Sequence, residues 1–255
     1  MIADRRGAAT CAAVSLLVLG ACGTTTPLAR EVEIGRDAYI IFTGDGRGTG
    51  SDLYAVPGRG GRAIQLTYSP VDEFAPALAP DGGAVAFVRR VPNGERRVWV
   101  LNLISGAERE LEPPDSMAPP VRVGWSPDGS ALYVETDGGA SWRAAAPPRP
   151  PEPRTVPPAD PGADSALTVL VGSPVFARIE SCESGQSLCV VSGADTAPLA
   201  RGAATAARWG GDSVAYFVNE DLFVRPLGAG RVRPIEIDAG PARPRDLTAF
   251  GGLAP

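Results

Sequence analysis

Asp72 and Glu73 stand side by side ahead of an apolar run, Asp45 and Asp52 close a loop of glycines, and Cys182 and Cys189 flank a short polar turn. These are the spacings with chemical potential in this chain. Adjacent carboxylates on a loop can divide acid and base work, although such pairs are more often simply solvated. Two aspartates with backbone carbonyls can hold calcium. The run Thr43-Gly44-Asp45-Gly46-Arg47-Gly48-Thr49-Gly50-Ser51-Asp52 lacks the EF-hand spacing, however, and reads more simply as a Gly-rich hairpin. Its glycines follow no dinucleotide fingerprint in a βαβ context. The cysteines are not spaced C-x-x-C, and no histidine can complete a zinc site beside them. No metal, cofactor or catalytic set is therefore expected.

Missing residue types narrow the chemistry further. The sequence has no histidine, which removes Ser-His-Asp and Cys-His machinery and any imidazole metal site. All of its positive charge is arginine. Without lysine there is no P-loop lysine and no Schiff base, and a GC-rich genome is the plain explanation of the bias. Net charge is −5, so no basic excess exists to neutralise phosphates, and a nucleic-acid partner is not expected.

The N-terminus carries an address. Arg5 and Arg6 form a basic start, and Ala8 to Leu19 is an apolar run too short to span a bilayer. It ends in Leu19-Gly20-Ala21-Cys22, which resembles the lipobox of bacterial lipoproteins. The resemblance implies a signal over residues 1–21, cleavage before Cys22, and acylation of Cys22. An ordinary signal peptide with a coincidental cysteine is the alternative. Gly23 is not the aspartate that retains enterobacterial lipoproteins at the inner membrane. The expected location is thus the outer membrane facing the periplasm, with the cell surface as the other option. Residues 22–30 read as a short polar tether. Cys11 leaves with the signal, so Cys182 and Cys189 remain as an even pair in an exported chain. That suggests a disulfide contributing roughly 2–3 kcal/mol.

The elements that must position any site come from a repeat. Val121-Arg122-Val123-Gly124-Trp125-Ser126-Pro127-Asp128-Gly129 leads into Ala131-Leu132-Tyr133-Val134: an apolar segment, a turn, and a second apolar segment. Pro127 presets φ for the turn and Gly129 frees the reversal. Worn copies occur at 34–37, at Leu78-Ala79-Pro80-Asp81-Gly82, at Val171 to Pro174, at 209–212 and at 250–252. Their spacing, about 40–47 residues, is one four-stranded propeller blade. Third strands follow at Asp52 to Val56, Val98 to Leu103, Leu188 to Val191 and Leu222 to Arg225. High Gly (31) and Pro (26) suit many short strands and turns.

Asp52-Leu53-Tyr54, Gly60-Gly61, Gln65-Leu66-Thr67 and Ser126-Pro127-Asp128-Gly129 resemble the WD40-like (PD40) repeats of TolB-type β-propellers. The resemblance covers residues 31–130 well, 205–250 fairly and 131–204 poorly. It implies an all-β propeller of about five, or six, four-stranded blades over residues 31–255. The strand next to the axis in the first blade is expected from 28–34 or from Arg245 to Phe250. Asp137-Gly138-Gly139-Ala140-Ser141-Trp142 resembles the Asp-box hairpin of sialidase-type propellers, where it is structural. Pro147 to Pro161 holds eight prolines in fifteen residues and cannot pair as a strand. It reads as a solvated loop or as a partner-docking segment.

The expected function is a lipid-anchored, non-catalytic envelope propeller that binds a protein partner, as TolB-like proteins do by resemblance. The alternative is an envelope enzyme, carbohydrate-active for example, or an enzyme subunit, working through carboxylates and arginines on a propeller face.

Overall fold

The computed structural model describes residues 26–45, 50–114, 117–147, 169–171, 178–181, 187–192, 195–201, 203–209, 213–226, 230–240 and 242–252; between 169 and 204 only strand positions are described. The chain forms small antiparallel sheets arranged as a propeller. The first sheet orders Pro244–Phe250, Tyr39–Asp45, Ser51–Pro57 and Ile64–Gln65. The second orders Glu73–Leu78, Ala84–Arg90, Arg96–Asn102 and Glu108–Leu111. The third orders Pro120–Trp125, Ala131–Thr136, Ala140–Ala145 and Val169–Val171. Arg178–Ser181, Ser187–Ser192 and Asp195–Arg201 make a three-stranded fourth. The fifth orders Ala203–Trp209, Ser213–Val218, Asp221–Pro226 and Arg233–Ile235.

Sheets pack face to face, so their second strands are buried on both sides and read as unbroken apolar runs. Tyr39 and Ile41 face the second sheet, where Val85, Phe87 and Leu101 meet them. Ile40 and Phe42 face the fifth sheet and its Ala215, Phe217 and Val224. Ala84, Ala86 and Val98 turn the other way, against Val123, Leu132 and Trp142 of the third. The first strands of successive sheets lie side by side, Ala203–Trp209 beside Pro244–Phe250, then Glu73–Leu78, then Pro120–Trp125.

The C-terminal candidate takes the place next to the axis. Pro244–Phe250 pairs with Tyr39–Asp45, with Phe250 opposite Tyr39. Residues 28–30 form a single 3-10 turn instead. The copies at 34–37 and 250–252 are consequently two halves of one turn: a Cβ on Gly252 would stand 2.9 Å from the Arg36 carbonyl. A second clasp joins the last and first sheets, where Ile237–Asp238 runs parallel to Gly61–Arg62. Gly60 permits that approach, since a Cβ there would lie 2.5 Å from the Glu236 carbonyl.

Two expectations change. From Thr26 onward the expected tether is packed: Leu28 is fully buried and Val32 nearly so, both against the first two sheets. Of the copy at Val171 to Pro174 only Val171 is described, and it ends the outer strand of the third sheet, Val169–Val171, paired with Ala140–Ala145, instead of a sheet's first strand. Cys22, Cys182 and residues 148–161 of the proline-rich run lie outside the described residues. No helix among the described residues is long and apolar enough to cross a membrane.

The ring has two ends. On one lie the turns around Gly82 and Gly129; the Gly82 turn meets the Leu103 to Gly106 turn through Leu103 N donating to the Gly83 carbonyl, and that turn meets the N-terminal segment through Thr26 N donating to the Ile104 carbonyl, both at 3.0 Å. The opposite end carries Ser51, Asp72 and the turns at 91–95 and 137–139, with Tyr68 exposed beside them.

Candidate functional site

Among the described residues, a group of buried ionisable side chains lies between the first and second sheets, at the Tyr68 end. Glu73 opens the axial strand of the second sheet and is fully buried. Register places it opposite Arg89, whose Nε donates to Glu73 Oε1 at 2.8 Å. The other Glu73 oxygen accepts the Thr67 hydroxyl at 2.5 Å. Thr67 in turn accepts from Leu53 N at 2.9 Å. Ser51 clamps the Glu73 backbone, donating to its carbonyl at 2.7 Å and accepting from its N–H at 3.1 Å. The Arg89 guanidinium also reaches Glu108 at 2.8 Å and lies over the Trp99 ring, 4.5 Å from its centroid. Next to this, Asp52 accepts from Ser69 N at 2.7 Å and from Gln65 Nε2 at 2.8 Å.

Burial dominates the electrostatics. It pushes the Glu73 carboxyl up to about 7, against the lowering effects of Thr67 and Arg89. Burial likewise raises Asp52, opposed by the Ser69 and Gln65 hydrogen bonds. A carboxyl near 7 has the proton affinity of a general acid or base. Glu73 nevertheless has no accessible surface, and both its oxygens are engaged. Its chemistry is spent on joining two sheets.

The carboxylate pairs singled out by spacing separate. Asp72 turns outward to Arg90 at 3.1 Å while Glu73 turns inward to Arg89. Asp45 pairs with Arg245 at 2.7 Å, and Asp52 belongs to the buried cluster, so the two aspartates of the Gly-rich hairpin hold different partners. Cys189 stands opposite Glu180 in the fourth sheet.

The repeat-turn residues are joints. Ser126 Oγ donates to Asp128 at 2.5 Å and accepts from Ala131 N at 2.9 Å. Those Ser126 and Ser130 hydrogen bonds hold the Asp128 carboxyl down to about 2. Pro127 and Asp128 are exposed, and Gly129 takes φ +71°. In the second sheet's copy Pro80 is exposed, Asp81 accepts from Gly83 N at 3.1 Å, and the Tyr39 hydroxyl donates to the Gly82 carbonyl. Burial, aided by Asp81, raises the Tyr39 hydroxyl well above its ordinary value. Trp125 reaches across to the neighbouring sheet, its Nε1 donating to the Ala77 carbonyl at 2.9 Å. In the Asp-box-like hairpin Trp142 is buried as the resemblance implies, but Asp137 pairs with Arg96 of the second sheet.

Sequence reasoning missed the treatment of the axial strand's free edge. Asp246 accepts from Ala75 N and Thr248 from Leu78 N, each at 3.0 Å. With Trp125 on Ala77, side chains of both neighbouring sheets occupy backbone groups that an edge strand would leave open. Ala75 holds φ +51° where the register shifts, turning its N–H toward Asp246. A polar residue every second position in Asp246-Leu247-Thr248 was the available signal.

No family model matches the chain, and no curated protein is detectably similar. Among solved structures it is similar to TolB from Acinetobacter baumannii, at 14% identity over 83% of this chain and 66% of that one, TM-score 0.39. A putative TolB from Agrobacterium tumefaciens is similar at 14% over 84% and 74%, TM-score 0.39. A gluconolactonase from Xanthomonas campestris is similar at 15% over 63% and 52%, TM-score 0.36. The chain thus spans just under two thirds of the Acinetobacter protein and about half of the gluconolactonase. Likenesses of this size assign no activity, substrate or partner.

Proposed function

We propose that the chain is a five-bladed, lipid-anchored propeller of the cell envelope that binds a protein partner without catalysis. One observation carries the non-catalytic part. Among the described residues, the two carboxyls raised by burial, Asp52 and Glu73, have all four oxygens committed to neighbours within the ring. What the ring leaves for contact is its end turns, the usual recognition surface of a rigid scaffold. Five blades follow from reading the 34–37 and 250–252 half-copies as one turn. The anchor rests on Leu19-Gly20-Ala21-Cys22. In the same reading Cys182 and Cys189 form a disulfide, which non-reducing peptide mapping checks.

The test is affinity capture of the native lipoprotein from detergent-solubilised envelope, followed by mass spectrometry. A reproducible stoichiometric partner is expected. Recovery of none would sink the docking reading and return the envelope-enzyme alternative. Cys22→Ser is expected to release the protein from membranes; retention would refute the anchor.

A further inference from the structure

We propose that the ring sits with its Gly82–Gly129 end against the bilayer that holds its acyl chains, with the Tyr68 end turned away from it; this rests on the lipid-anchor reading. The chain is fixed mechanically at Thr26. Its N–H donates to the Ile104 carbonyl at 3.0 Å, its hydroxyl donates to the Leu103 carbonyl, and the following Leu28 is fully buried. Only Gly23, Thr24 and Thr25 separate Thr26 from Cys22. However these residues are arranged, four Cα steps reach at most about 14 Å. The strands of the first sheet are seven residues long, which separates the two ends by roughly 23 Å. A tether that short cannot bring the Tyr68 end to the membrane that holds Cys22.

The near end suits a lipid surface. Ile104, 46% exposed, projects beside the point where the chain enters the fold, an apolar tip of the kind that enters the headgroup boundary. Two ion pairs stand near the N-terminal segment, Arg59 with Glu31 at 3.2 Å and Arg36 with Glu33 at 3.3 Å. Tyr68, 77% exposed, stands on the end turned away.

The orientation is tested with the full lipoprotein in liposomes carrying doxyl-labelled lipids. An environment-sensitive fluorophore is attached at Ala107→Cys or at Tyr68→Cys, and the parent chain supplies the background from native cysteines. Quenching at 107 is expected to exceed that at 68 several-fold. Equal or reversed quenching, in protein whose acylation mass spectrometry confirms, would overturn the orientation and leave the anchor standing. Protein lacking acyl groups would sink the anchor reading, and the orientation with it. Thirty Gly/Ser residues inserted after Gly23 are expected to abolish the difference, since such a linker spans about 30 Å. Persistence of the difference would refute the tether as its cause.

Discussion

Replacing Glu73 with glutamine should remove a specific pH dependence of stability. In the folded ring the Glu73 carboxyl is raised from its ordinary 4.5 to about 7, because burial outweighs Arg89 and Thr67. The folded state therefore takes up this proton near neutrality, and the unfolded chain only near 4.5. Between those values the folded state binds more protons, so its stability falls as pH rises through the window. A displacement of this size, at about 1.4 kcal/mol per tenfold in proton concentration, amounts to about 3 kcal/mol between pH 4 and pH 8. Asp52, raised by burial, acts in the same sense, whereas a carboxyl that is held down acts in the opposite one. Asp128, held down to about 2, loses its contribution only as pH falls below its ordinary value. Comparison with the variant isolates the Glu73 contribution. The assay is urea unfolding of the Cys22→Ser protein, with and without Glu73→Gln, at pH 5, 6, 7 and 8, followed by tryptophan fluorescence. The stability difference should shift by about 2–3 kcal/mol in favour of the Glu73 protein from pH 8 to pH 5. The amide beside Arg89 sets the offset between the curves; the slope is the prediction. A difference constant across this range would refute burial as the dominant influence on Glu73.

Arg89→Met leaves the Glu73 carboxylate buried without its counter-ion and should cost about 3–5 kcal/mol at pH 8, less at pH 5 where the carboxyl is protonated, by the same unfolding assay. Trp125→Phe keeps most of the packing but strips the Ala77 carbonyl of its donor; a loss of roughly 1–2 kcal/mol is expected in urea, and none would mean water replaces the indole. Gly82 and Gly94 share a positive φ, yet a Cβ on Gly82 would stand 2.9 Å from the Tyr39 hydroxyl oxygen while one on Gly94 would meet open space. Gly82→Ala should therefore lower Tm clearly more than Gly94→Ala, and equal losses would show that backbone strain alone decides both.

The propeller was legible because its turns repeat. Each Ser-Pro-Asp-Gly or Ala-Pro-Asp-Gly joins a sheet's first strand to its second, and those second strands, buried on both faces, stand out as apolar runs such as Ala84 to Val88. The copy that begins at Val171 shows the limit: without Asp-Gly to mark the turn, an apolar segment such as Val169–Val171 fits a sheet's outer strand as well as its first. The polar cluster was half legible. Glu73 was visible as a carboxylate, but its spacing paired it with Asp72, its neighbour in sequence. In a strand, adjacent side chains point to opposite faces, so Asp72 goes to solvent and Glu73 to Arg89 sixteen positions on. Thr67 joins across the contact between two sheets, while Gln65 and Glu108 join from other strands of their own sheets, at positions that no local pattern encodes. The caps from Asp246 and Thr248 cross about 170 positions and are invisible until the ring closes.

Closure concentrates several functions in one terminal strand. Pro244–Phe250 supplies the pairing that Tyr39–Asp45 would lack on its axial side. Its Asp246 and Thr248 occupy N–H groups of the next sheet's edge, and its Leu247 packs toward the fifth sheet. The first two contributions satisfy backbone groups; the third buries apolar surface, and all depend on the same seven residues being in place. Contacts spread over three sheets through one strand couple those sheets, so they gain or lose order together. The N-terminal segment adds a further tie, because Thr26 and Leu28 bind the second sheet from the end that carries the Gly82 turn. A load on the segment ahead of Thr26 is thus delivered to the junction of the first and second sheets, beside the turns of Gly82 and Gly106.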